Sequence, residues 1–153
     1  MFKMEIERPV NLGCFDPDDT TLSEAIYSIY SDVGGYVTLN WNGCDLSISF
    51  NALSEMCKDI VDMLKRINVG KSFIQNFLCS EFTAEWDIQV SDENLKIKAK
   101  WTDVAERNVS EKKLRDVSNI INVNRENFIN TWTGLLDIVE YDLKKMGYEY
   151  RFF

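Results

Sequence analysis

Apolar and polar residues alternate along three parts of this chain and recur at helical spacing in three others, which is the pattern of a mixed α and β fold. Phe2, Met4 and Ile6 alternate with Lys3, Glu5 and Glu7 and predict an edge strand ended by Pro9. Thr21 and Glu24 have the spacing of a capping box, and Leu22, Ala25, Ile26 and Ile29 share a helical face behind it, so a helix is expected to stop before Gly34-Gly35. From Tyr36 to Phe50 two alternating runs flank Asn42-Gly43, a pair that favours a type I′ hairpin turn. If Trp41 opposes Cys44, then Val37, Leu39, Trp41, Cys44, Leu46, Ile48 and Phe50 face a core, and Thr38, Asn40, Asp45, Ser47 and Ser49 face water.

Asn51 is then placed to cap a helix whose Leu53, Met56, Cys57, Ile60, Val61, Leu64 and Ile67 form one stripe, closed by Gly70. A strand from Ser72 to Leu78 precedes a second hairpin, Phe82 to Val90 and Leu95 to Trp101. Pairing Val90 with Leu95 sets Glu85 across from Lys100 and Asp87 across from Lys98. Ser110 can cap a short helix carrying Leu114 and Val117. Asn124 can cap a long one, with Phe128, Trp132, Leu135, Leu136, Val139, Leu143 and Met146 on its apolar side and Gly147 at its end. Each hairpin has one wet face and each long helix has one stripe to bury. The expected fold is therefore α+β over a single domain, residues 1–153: a two-layer sandwich with an antiparallel sheet of five to six strands and about three helices on one face. The terminal run Tyr148-Glu149-Tyr150-Arg151-Phe152-Phe153 carries four aromatics, and is expected to dock as a last strand or against a partner.

Charge adds what periodicity does not show. The chain carries a net charge of −8, yet Pro9 to Cys57 holds no Lys or Arg beside Asp16, Asp18, Asp19, Glu24, Asp32, Asp45 and Glu55. About five bases would be expected there at the average frequency. A one-signed surface attracts cationic molecules and repels nucleic acid and anionic lipid, so the expected partner is a cationic protein, with no nucleic acid and no membrane. Several of these acids have a local reason to be present, since carboxylates near a helix start contribute about 0.3–1 kcal/mol each. The missing bases have none. The residues expected to bind a partner are Asp16, Asp18, Asp19, Asp32, Tyr36, Asn40 and Asp45, although the polar hairpin face has equally the pattern of an ordinary solvated surface.

Candidate chemistry is sparse. There is no histidine, which removes Ser-His-Asp and Cys-His nucleophiles and His-based zinc sites. Gly70-Lys71-Ser72 lacks the first glycine of a phosphate-binding loop and joins a helix to a strand, the reverse of that motif's order. Asp16-Pro17-Asp18-Asp19 lacks the glycine and the terminal Glu of a calcium loop. No cofactor and no metal are expected, and the chain reads as a binding protein rather than an enzyme. A carboxylate-dependent small hydrolase is the alternative, and a DNA mimic a further one. The four cysteines show no C-x-x-C spacing, and two of them fall on apolar faces, where they read as reduced core thiols. The amino terminus lacks an apolar leader core and no later stretch has the length of a membrane span, so a cytoplasmic location is expected.

Across most of its length the chain resembles the small acidic immunity proteins of bacterial polymorphic-toxin and contact-dependent growth inhibition systems. The resemblance lies in the amphipathic hairpin with Trp41-Asn42-Gly43 at its tip running into an amphipathic helix, the late segment Asn127-Phe128-Ile129-Asn130-Thr131-Trp132, and the ending Lys144-Lys145-Met146-Gly147-Tyr148. It implies a stoichiometric inhibitor that binds a cognate toxin domain, often a cationic nuclease, and blocks its active site or its access to substrate. It carries no residue role over to this chain.

Overall fold

The computed structural model describes residues 2–104 and 111–153. Strands β1 (Phe2–Glu7), β2 (Tyr36–Trp41) and β3 (Cys44–Ser49) form one antiparallel sheet in that order. Strands β4 (Phe73–Cys79), β5 (Phe82–Val90), β6 (Asn94–Val104) and β7 (Ile120–Asn124) form a second. Helix α1 (Leu22–Tyr30) lies between β1 and β2, α2 (Leu53–Val69) between the sheets, α3 (Glu111–Asp116) between β6 and β7, and α4 (Arg125–Lys145) after β7.

The α+β class is as expected, but the single sheet of five to six strands is corrected to sheets of three and four strands, with four helices. The physical reason lies at the junction between the sheets. The Ser49 N–H and hydroxyl both donate to Glu81, at 2.9 and 2.7 Å, and the Trp41 indole donates to the Ser118 carbonyl at 3.0 Å. Side chains thus take up backbone groups that a continuous ladder would have used. The inner faces still share one hydrophobic cluster. Trp41 packs on Trp86 at 5.4 Å and edge-on to Trp101 at 4.9 Å, Trp86 on Phe77 and Trp132, and Phe2 on Phe128. Such pairs contribute about 0.5–1.5 kcal/mol each beyond area burial, and Trp41, packed on both Trp86 and Trp101, ties the first sheet to the second.

Both hairpins take the expected register, Trp41 opposite Cys44 and Val90 opposite Leu95, with a bulge at Thr83/Ala84. Asn42 and Gly43 have φ of 48° and 88°, the left-handed pair that a type I′ turn requires. The Thr21–Glu24 capping box is complete, and the Asn124 side chain accepts from the Asn127 N–H at 2.9 Å. Asn51 does not cap α2. It lies within a short 3-10 turn, Phe50–Ala52, that Ser49 caps through the Ala52 N–H, and this turn feeds the helix directly. At the end of α4 the Tyr148 N–H donates to Leu143 O and the Gly147 N–H to Lys144 O, a Schellman closure made possible by a Gly147 φ of 102°. Ser110, expected to cap α3, lies outside the described residues; Leu114 is buried on α3, and Val117 lies just beyond its end.

The terminal segment forms no strand. Tyr148 and Phe152 are buried by docking on the chain itself, with the Tyr148 ring 4.7 Å from Phe15. The Schellman closure turns the tail back along α4, where the Phe152 N–H donates to Glu140 at 3.4 Å.

Candidate partner-binding surface

The outward rows of the first sheet follow from its register. Lys3, Asn40 and Asp45 form one row; Glu5, Thr38 and Ser47 the next; Glu7, Tyr36 and Ser49 the third. Glu5, Glu7 and Asp45 are exposed, and Lys3 is the sole base on these rows. The only salt bridge among the described residues is Arg8–Asp142, so no described ion pair neutralises the three acids. The sheet fixes the backbone positions from which these side chains extend before any partner arrives.

The expected binding residues separate into two groups. Tyr36, Asn40 and Asp45 come together on this face. Asn40 also serves the turn, accepting from the Gly43 N–H at 3.1 Å and donating to Asp45 at 2.8 Å. Asp32 is exposed at the α1–β2 connection, with a φ of 56° that Asp tolerates better than most residues. Asp16, Asp18 and Asp19 sit instead in the loop before α1, where the carboxylates are largely occupied. The Asp16 side chain accepts from the Asp18 N–H at 2.9 Å, and Asp19 accepts from the Ser28 hydroxyl at 2.7 Å and the Tyr148 hydroxyl at 2.5 Å. The Tyr148 oxygen in turn accepts from the Asp16 N–H at 2.8 Å. Burial foremost, with the bond to Asp19, raises the Tyr148 pKa above the ordinary tyrosine range. This acidic loop is therefore the dock for the carboxy-terminal segment.

Glu24 and Glu55 have equally local employment. Bonds from the Thr20 and Thr21 N–H groups lower the Glu24 pKa. Burial works to raise that of Glu55, but the Ser80 N–H bond at 2.6 Å helps bring it below the ordinary range. Glu5 and Glu7 are the acids absent from the sequence-based set. They lie outside the base-free stretch, and their signal is the alternation of β1, which becomes informative once β1 pairs with β2.

A second surface lies on the outer side of the second sheet. Glu85, Asp87, Lys98 and Lys100 line a groove of about 640 Å³, walled by Arg115 of α3 and by Ser118 and Asn119, with the inward-packed Trp101 at its floor. The opposed pairs Glu85–Lys100 and Asp87–Lys98 are in register, yet neither closes into a salt bridge. The segment walling this groove is held from its other side by the first hairpin, where Asn42 donates to Ser118 O at 2.7 Å and Ile120 O at 3.0 Å.

Among carboxylates with a resolved shift, Asp59 has a raised pKa, caused by burial and by the charge of Asp62. Its bond from the Leu78 backbone opposes the rise and satisfies an outward group of edge strand β4, a structural role. Among the described residues no group of three or more His, Cys, Asp or Glu side chains is placed to hold a metal ion, and no helix is long and apolar enough to cross a membrane. No protein-family model, no curated protein and no solved structure matches this chain.

Proposed function

We propose that this protein is a cytoplasmic binding protein of the immunity type, which neutralises a cationic toxin domain by covering its active site or the path of its substrate. The observation that carries this reading is the outward face of β1, β2 and β3, where Glu5, Glu7 and Asp45 stand on a rigid sheet with Lys3 as the sole base. Exposed Asp32 adds to the same sign of charge. A field of one sign accelerates encounter with a basic partner and makes that acceleration fall with salt. The polar side chains between the acids, Thr38, Ser47 and Tyr36, add hydroxyl groups and an aromatic contact of the kind enriched at protein interfaces.

Two measurements test it. Co-expression with the product of the adjacent gene should restore growth that this product alone abolishes; a neighbour harmless by itself removes the main support for the immunity reading. With a toxic neighbour in hand, Glu5→Lys, Glu7→Lys and Asp45→Lys together should slow association by about tenfold or more at low ionic strength and flatten its salt dependence. These positions are preferable to Asp19, whose reversal would also undock Tyr148, and to Asp16, whose side chain accepts from the Asp18 N–H within the same loop. An unchanged association rate in the triple variant would show that another face makes the contact.

A further inference from the structure

The geometry points to the outer edge of β1 as the pairing surface for a second copy of this chain, the two β1 strands meeting antiparallel about a two-fold axis at Met4. This inference does not rest on the toxin-binding reading, because it needs nothing but the protein itself. Its first support is the direction of the backbone groups. Asn42 and Gly43 form a two-residue type I′ turn, so the flanking residues Trp41 and Cys44 exchange backbone hydrogen bonds. Bonded and non-bonded pairs alternate from there, and the Phe50 N–H donating to Gly35 O at 3.4 Å keeps the same phase. In β2 the groups of Val37, Leu39 and Trp41 therefore face β3, and those of Tyr36, Thr38 and Asn40 face β1. Their bonded partners on β1 are Glu7, Glu5 and Lys3, which leaves the N–H and C=O groups of Phe2, Met4 and Ile6 directed away from the sheet. No described residue bonds to them.

Side chains blunt the other sheet edges. On β4, Arg66 donates to Ile74 O at 2.9 Å and Gln75 to Asn76 O at 3.1 Å, while the Leu78 N–H meets Asp59. On β3 the Ser49 N–H is taken by Glu81, and on β7 the Ile120 carbonyl by Asn42. An edge left without such cover is a template for another strand. The inner face of β1 is open in the same place. Phe2, Met4 and Ile6 are half-buried, whereas Val37, Leu39 and Trp41 beside them on β2 are each 1% exposed.

Charge and bonding together select the occupant and its register. With the axis at Met4, Phe2 lies opposite Ile6 of the second copy and Met4 opposite Met4, so each outward N–H and C=O of these residues gains a partner and the apolar row continues across the junction. Lys3 then falls opposite the second copy's Glu5, and Glu5 opposite its Lys3. Both are non-bonded pairs, in which Cα atoms approach to about 4.5 Å and side chains lie closest. Moving the axis to Lys3 or to Glu5 sets that residue against its own copy, like charge facing like. A second β1 strand is thus complementary to the first in one register.

Analytical ultracentrifugation of the whole chain, with no other protein present, tests this. The wild-type protein should pass from monomer to dimer with a dissociation constant of about 100 µM or tighter. Lys3→Glu and Glu5→Lys should each weaken association by about tenfold or more, since each puts like charges opposite one another at both ends of the strand pair. Both side chains are exposed, and near-ultraviolet circular dichroism confirms that each variant keeps its fold. The double variant Lys3→Glu/Glu5→Lys restores the opposite-charge pairs with their signs exchanged and should associate within about threefold of wild type. Lys3→Glu/Glu7→Lys should not recover. Monomer alone up to about 1 mM, single variants that associate as the wild type does, no recovery in Lys3→Glu/Glu5→Lys, or recovery in Lys3→Glu/Glu7→Lys would each overturn the inference.

Discussion

Asp142 offers the sharpest test of how this fold is held together. It is one of two buried polar or charged residues among those described, 3% exposed, and it sits on α4 facing α1 and the end of β1. One carboxylate oxygen accepts from Arg8 at 2.8 Å and the other from the Tyr30 hydroxyl at 2.7 Å. The two partners are unequal. The Arg8 side chain is 48% exposed, so on losing its carboxylate it can turn to water, and its ion pair contributes about 0.2–1 kcal/mol. Tyr30 is 1% exposed and cannot, so its stranded hydroxyl costs about 1–3 kcal/mol. Asp142→Ala should therefore destabilise the protein by about 2–3 kcal/mol, chiefly through Tyr30.

The reasoning fixes a coupling as well as a magnitude. Tyr30→Phe alone takes the donor from a carboxylate oxygen of Asp142, which at 3% exposure has little access to water, and should cost about 1–3 kcal/mol. In that background Asp142→Ala strands nothing, and its cost should fall by about 1–2 kcal/mol, a clear departure from additivity. Urea titrations of the four proteins measure this directly, provided the slopes agree so that midpoint differences report stability. A coupling below about 0.5 kcal/mol would mean that the Tyr30 hydroxyl finds another partner, and that this triad is not what joins α1 to α4.

Other expectations follow from single features. Burial pushes the thiols of Cys57 and Cys79 up to about 12 and, with the Asp142 bond, raises Tyr30 well above its ordinary value. All three hold their protons more tightly folded than unfolded, so their contribution is complete below pH about 9 and declines as pH rises towards 12. Urea midpoints should fall across that window and fall less in Cys57→Ala; a flat profile to pH about 11 would contradict the assignment. Cys14 is the exposed cysteine and the other three are buried, so a thiol reagent should modify one cysteine quickly in the native protein and none quickly in Cys14→Ser. Gly34 and Gly35 both have positive φ, 75° and 83°, but a Cβ on Gly35 would lie 2.8 Å from the Glu7 carbonyl, whereas one on Gly34 meets nothing within 4 Å. Gly34→Ala should cost about 1–2 kcal/mol and Gly35→Ala more; equal midpoints would disprove the close packing of β1 against this turn.

What could be read from the sequence divides by the range of the interaction that decides it. The Asn42-Gly43 turn, the Thr21–Glu24 box, the Asn124 cap and the registers of both hairpins all rest on residues within a few positions of one another, and all appear as expected. The division into two sheets rests on Trp41 reaching Ser118 and Ser49 reaching Glu81, contacts across 77 and 32 positions that no periodicity announces. The candidate surface divides in the same way. Composition could show that bases are missing from Pro9 to Cys57, but not which acids within it were already engaged. Asp19 is taken by Ser28, nine positions away, and by Tyr148, 129 positions away. That last bond joins two features that look unrelated along the chain, an acidic loop and an aromatic tail, and gives each a structural role. With Asp16 and Asp19 so employed, Asp45 is the acid of this stretch that lies on the outward face of the first sheet, where Glu5 and Glu7 join it only through the pairing of β1 with β2. The absence of bases therefore bears on the outward face through β2, β3 and the turns that adjoin them, while β1 brings both acids and Lys3, and the loop before α1 is acidic for reasons of its own.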